Sequence, residues 1–165
     1  MTAIAKISAG SRILASEMAG IAPLSAVKTV DESVTSSTTL QNDDALFVTV
    51  AANATYLLYC YLDYEGASAG DLKFSWSVPT SATMRFTIIG QTAASAAQTA
   101  VTGSESTSYT VGADAAATLN AVLLAGTLVV SSTAGTLQLQ WAQGTSSGTA
   151  TIVHAKSILA LWQVS

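Results

Sequence analysis

One cysteine, one histidine, two prolines and six basic residues among 165 leave little from which to build chemistry. A lone Cys60 excludes an intrachain disulfide, and a single Cys with a single His excludes a zinc centre. Cys60 sits inside the apolar run Tyr56–Tyr64 and reads as an inert core thiol. Six Lys and Arg residues, spread singly, cannot neutralise a phosphate backbone, so nucleic acid is not expected as a partner. Long hydrophobic runs are missing too. The most apolar stretch, Leu119 to Val130, is broken by Asn120, Gly126 and Thr127 and is too short to span a bilayer. Lys6, Arg12 and Glu17 interrupt the stretch that a signal peptide would keep apolar. There is no glycine-rich phosphate loop, and His154 has only Ser157 nearby as a local nucleophile. No catalytic residue, metal ligand or cofactor site is therefore expected.

What is present is apolar and small. Half of the residues are hydrophobic and only 10% are charged, a composition incompatible with disorder. Ser and Thr supply about a quarter of the chain and Ala nearly a fifth. The length suits one domain with a core that needs no staples. From Ala26 onward strand signals recur every eight to twelve residues, the cadence of an all-β sandwich or barrel. Leu72, Phe74, Trp76 and Val78 alternate with Lys73, Ser75 and Ser77, and Leu137, Leu139 and Trp141 alternate with Gln138 and Gln140. Asn42-Asp43-Asp44 and Ala51-Ala52-Asn53 read as turns around the strand Leu46–Val50. Residues 91–115, poor in apolar bulk, read as a long excursion or a weak edge hairpin.

Three strands break the alternation. Tyr56–Tyr64, Ala117–Val130 and Ile158–Trp162 are apolar on both faces, whereas a solvated antiparallel strand is polar on one. Such strands need cover twice, once from the opposing sheet and once from outside. That expectation assigns Tyr59, Tyr61, Leu123, Leu159, Leu161 and Trp162 to a subunit interface in a homo-oligomer. Ahead of them, residues 1–25 read as an arm with a short amphipathic helix, opened by Ser11, closed by Gly20 and stopped by Pro23. Its Ile4, Ile7, Arg12, Ile13, Leu14 and Met18 are candidates for anchoring to a larger particle, with packing beneath the β domain as the plainer reading.

Two weaker signals concern ligands. The pairs Asp31-Glu32 and Asp43-Asp44, and the trio Asp63, Glu65 and Asp71, offer oxygens to a calcium ion but fit no EF-hand spacing. Turn formation explains them more simply. Tyr59, Tyr61 and Tyr109 are candidates for a sugar platform, with Tyr109 the least constrained.

The leader Ala9–Ala15 running into Ile21–Leu24, the segments Ala51–Tyr56 and Asp71–Trp76, and the end Gly126–Val130 through Leu137–Ala142 resemble small structural proteins of tailed phages and prophages of actinobacteria. The resemblance covers nearly the whole chain. It implies a jelly-roll-like antiparallel sandwich of about eight to ten strands over residues 26–165, preceded by the helical arm. It further implies a homotrimer at the virion surface, as a capsid decoration or head-fibre protein bound to a major capsid protein. The alternative is a tail component that binds a host-surface glycan.

Overall fold

A computed structural model describes residues 22–92 and 95–165, and among these described residues every helix or strand element is a strand. These are β1 (Leu24–Val27), β2 (Glu32–Val34), β3 (Gln41–Val50), β4 (Thr55–Glu65), β5 (Leu72–Ser77), β6 (Thr83–Thr92), β7 (Ser95–Ser104), β8 (Tyr109–Val111), β9 (Asn120–Val129), β10 (Gly135–Gln143), β11 (Thr151–Val153) and β12 (Ile158–Gln163). The anticipated arm helix lies outside the described residues. The arm's expected end at residue 25 falls inside β1, which already belongs to the sandwich.

Two antiparallel sheets face each other. The larger runs β1-β12-β4-β9-β6-β7, with β11 and β2 continuing from β4, and the smaller runs β3-β10-β5-β8. From β3 to β6 each step along the chain changes sheet, and the same happens from β8 to β11. Such crossing connections make the sandwich jelly-roll-like.

The alternation seen in the sequence fills the space between the sheets. Tyr56, Leu58, Cys60, Leu62 and Tyr64 of β4 are all at most 1% exposed, and they meet Leu72, Phe74 and Trp76 of β5 and Leu137, Leu139 and Trp141 of β10. Each of these side chains, buried rather than exposed, contributes about 1.5–3 kcal/mol. Residues 91–115 resolve as the edge-hairpin alternative: β7 pairs with β6 from Arg85↔Ser104 to Thr92↔Ser95, with one bulge. An edge strand covers little core, which explains its scarcity of apolar bulk. Tyr109 is not free. Its ring packs 6.0 Å from Phe74 and 5.7 Å from Phe86, and its hydroxyl accepts the Ser104 N–H.

Candidate functional site

Two features stand apart from ordinary core packing. The first is the outer face of the larger sheet. Register fixes which side chains share it: Leu57 lies beside Trp162 and Thr127, Tyr59 beside Ala160 and Ala125, and Tyr61 beside Ile158 and Leu123. On β6, Arg85, Thr87 and Ile89 continue these three rows. The result is an apolar floor four strands wide. Leu57 is 49% exposed, Tyr59 40%, Ile89 43% and Trp162 39%. Charge appears only at its margins, as Arg85 at one corner and Asp63 and Glu65 beyond Tyr61.

Of the six residues expected at an interface, Tyr59, Tyr61, Leu123 and Trp162 lie together on this outer face. Leu159 and Leu161 do not. They point inward, fully buried in the chain's own core, because β12 pairs with β4 so that they sit beside Cys60 and Leu58. Leu57, Ile89 and Ala125 complete the floor and were not singled out from sequence. The anchoring candidates Ile4, Ile7, Arg12, Ile13, Leu14 and Met18 all lie outside the described residues.

The second feature centres on a lysine that the sequence did not single out. Lys28 follows β1 directly and turns into the gap between the two sheets, where its side chain is 2% exposed. Its Nζ donates to Asp43 Oδ2 at 2.9 Å and to Glu32 Oε2 at 2.6 Å. Asp43 is held on every side. Its Oδ2 also accepts Trp141 Nε1 at 3.1 Å, while Oδ1 accepts the backbone N–H groups of Ala45 and Leu46 at 2.9 and 2.8 Å. Glu32 accepts from Gln41 Nε2 and from the Asp44 N–H. Burial pushes the Lys28 ammonium down, but hydrogen bonds and charge from Glu32 and Asp43 more than offset this and hold it above its usual range.

The cluster takes up one carboxylate from each of two of the acidic pairs. Asp43 and Glu32 converge on a cation, and that cation is a lysine. Among the described residues no group of three or more His, Cys, Asp or Glu is placed to hold a metal. A shallow cleft of about 320 Å³ beside the cluster is lined by Lys28, Thr29, Val30, Asp31, Glu32, Asp44 and Ala45.

The remaining chemical candidates separate. Ser157 Oγ faces the backbone of Asp63 rather than the imidazole. His154 instead lies between carboxylates, Nδ1 at 3.3 Å from Asp31 and Nε2 at 3.5 Å from Glu65. Cys60 is fully buried, and burial raises its thiol pKa far above the usual range, as suits an inert side chain.

No family of known sequences matches the chain, and no curated protein does. Among solved structures the chain is similar to the Eiger TNF of S. frugiperda, at 13% identity and a TM-score of 0.40. That similarity covers 87% of this chain and 94% of the other.

Proposed function

We propose that this chain is a non-enzymatic structural protein that acts by self-association: a homotrimeric decoration or head-fibre protein of a phage particle, attached through residues 1–25. The observation that carries the reading is the outer face of the larger sheet, which has no charge at its centre. Strands about 4.8 Å apart and side-chain rows about 6.8 Å apart make it about 400 Å² in area. That equals the largest patch a typical monomer leaves in water and is about half of one partner's share of a stable interface. In a closed ring of three, the face of each copy packs against a different surface of the next, so both surfaces are used once per subunit. The second copy is the fitting occupant because the floor holds aromatic and branched side chains with no central charge to be matched by a polar ligand. The phage assignment draws on the leader and strand motifs.

The test is sedimentation velocity at micromolar concentration. The wild-type chain sediments as a trimer, and Leu57→Asp combined with Trp162→Asp yields a folded monomer. A well-behaved wild-type monomer overturns the reading. A chain starting at residue 24 stays trimeric and no longer attaches to particles; attachment that survives the deletion refutes the anchoring role.

A further inference from the structure

We propose that Lys28 and Asp43 form an intramolecular isopeptide bond, with Glu32 as the proton relay. The inference is independent of the trimer reading and rests on the geometry around Lys28 alone. An amine and a carboxyl group condense very slowly in water. Held in contact and shielded from solvent, two such groups have effective concentrations of about 10⁵–10⁸ M. Here the contact is direct and buried: Nζ lies 2.9 Å from Oδ2 of Asp43, with Lys28 at 2% side-chain exposure and Asp43 at 0%.

The other groups stand where the reaction needs them. A carboxyl under attack at Cγ gathers negative charge on its retained oxygen. Oδ1 already receives two backbone N–H groups, from Ala45 and Leu46, an arrangement that stabilises such an oxyanion. The departing oxygen must take up protons, and Oδ2 is the one that faces both Nζ and the Trp141 N–H. Nζ must shed protons, and Glu32 Oε2 is 2.6 Å from it. Glu32 is itself fixed by Gln41 and by the Asp44 N–H.

The step balances without a co-reactant. The Nζ–Cγ bond forms and the Cγ–Oδ2 bond breaks. The ammonium loses two protons, which Glu32 carries to Oδ2, and Oδ2 leaves as water. Oδ1 remains as the amide carbonyl, still bonded to the Ala45 and Leu46 N–H groups, and Glu32 ends as it began. The ion pair is the resting arrangement, so the reaction proceeds through the minor tautomer in which a proton has moved off Nζ, and it is slow and irreversible within the folded chain.

Because Lys28 belongs to the edge of the larger sheet and Asp43 to the edge strand β3 of the smaller, the bond closes the sandwich covalently at one side. It also joins the exit point of the leader directly to the opposite sheet.

Intact-mass spectrometry of the full chain, folded and incubated to completion, tests this. The expected mass is lower than that of the sequence by one water. Tryptic digestion after denaturation leaves residues 13–73 as one fragment, because an acylated Lys28 is not cut. Lys28→Arg and Glu32→Gln chains, with strand content verified by circular dichroism, keep the full mass. A wild-type chain of full mass that trypsin cuts after Lys28 overturns the proposal. So does loss of water in Lys28→Arg, which places the dehydration at a succinimide instead. Loss of water in Glu32→Gln at the wild-type rate removes Glu32 from the reaction. The wild-type map decides the bond even where a variant does not fold.

Discussion

Replacing Gly126 by alanine tests the floor on which the apolar face stands. Gly126 lies in β9 between Leu58 of β4 and Phe86 of β6. A Cβ built there meets Arg85 O at 2.0 Å, Phe86 Cα at 2.5 Å and Phe86 Cβ at 2.7 Å. Two of those atoms are backbone, so no side chain can swing aside. Relief requires β9 and β6 to part by about 1 Å, which stretches local ladder bonds from about 2.9 to about 3.9 Å and breaks them. Two lost bonds at about 1 kcal/mol each, with 1–3 kcal/mol of overpacking strain, give a destabilisation of about 3–5 kcal/mol. A chain of this length should then melt about 10 °C lower. Guanidinium and thermal unfolding followed by circular dichroism measure it. Gly148→Ala is the control, since nothing lies within 4 Å of a Cβ there, and it should stay within about 0.5 kcal/mol of wild type. If Gly126→Ala matches the control, β6 does not abut β9 at this point, and the four-strand apolar floor is wrong.

Two further predictions concern polar groups. Tyr64 is fully buried and its hydroxyl donates to Gly112 O at 2.5 Å, so Tyr64→Phe strands that carbonyl and costs about 1–3 kcal/mol in chemical denaturation; an unchanged midpoint refutes the bond. Asp31 is held below its ordinary value of 3.8, first by the Ala155 N–H at 2.7 Å and then by His154. A depressed carboxyl contributes stability above its unfolded pKa and loses it as pH falls through the folded one. Thermal melts at successive pH values below 3.8 should therefore show wild type converging on Asp31→Asn, which lacks that dependence. Parallel curves refute the assignment.

The parts of the fold that were legible in the sequence are those with a clean period. Leu72, Phe74 and Trp76, and Leu137, Leu139 and Trp141, announce both their strand and their buried face, because polar residues between them fix the phase. β12 has no such phase. With Leu159, Ala160, Leu161 and Trp162 all apolar, either face fits the core, and only the register against β4 turns Leu159 and Leu161 inward and Trp162 outward. Asp43 misled for a different reason. Its turn chemistry was read correctly, since its carboxylate does bind the N–H groups of Ala45 and Leu46, but that bend is a bulge inside β3, opposite the shift between Gln138 and Gln140 of β10. The bulge carries Asp43 into the interior. Lys28 gave no signal at all, because nothing local distinguishes one buried lysine from a solvated one. Its 15-residue separation from Asp43 is closed only when the two sheets pack.

A buried lysine between two carboxylates is a poor device for stability alone. Removing two charges from water costs several kcal/mol per ion, and an apolar replacement of the same volume commonly does as well or better. The position of this one suggests what else it is for. The leader enters the sandwich at Leu24, and β1 is an edge strand paired to β12 over only four residues, from Leu24↔Leu161 to Val27↔Ile158. A pull on the leader directed across the strand loads those pairs one after another, so the strand peels rather than shears, and hydrogen bonds broken singly resist weakly. Lys28 is the next residue after the last pair. A link from Lys28 to Asp43 ends the peeling there and passes the load to β3, which is paired with β10 at the heart of the smaller sheet. The proposed anchoring arm and the proposed covalent stop one residue beyond the first strand would thus meet the same mechanical demand, whereas an ion pair at that place would open with the strand.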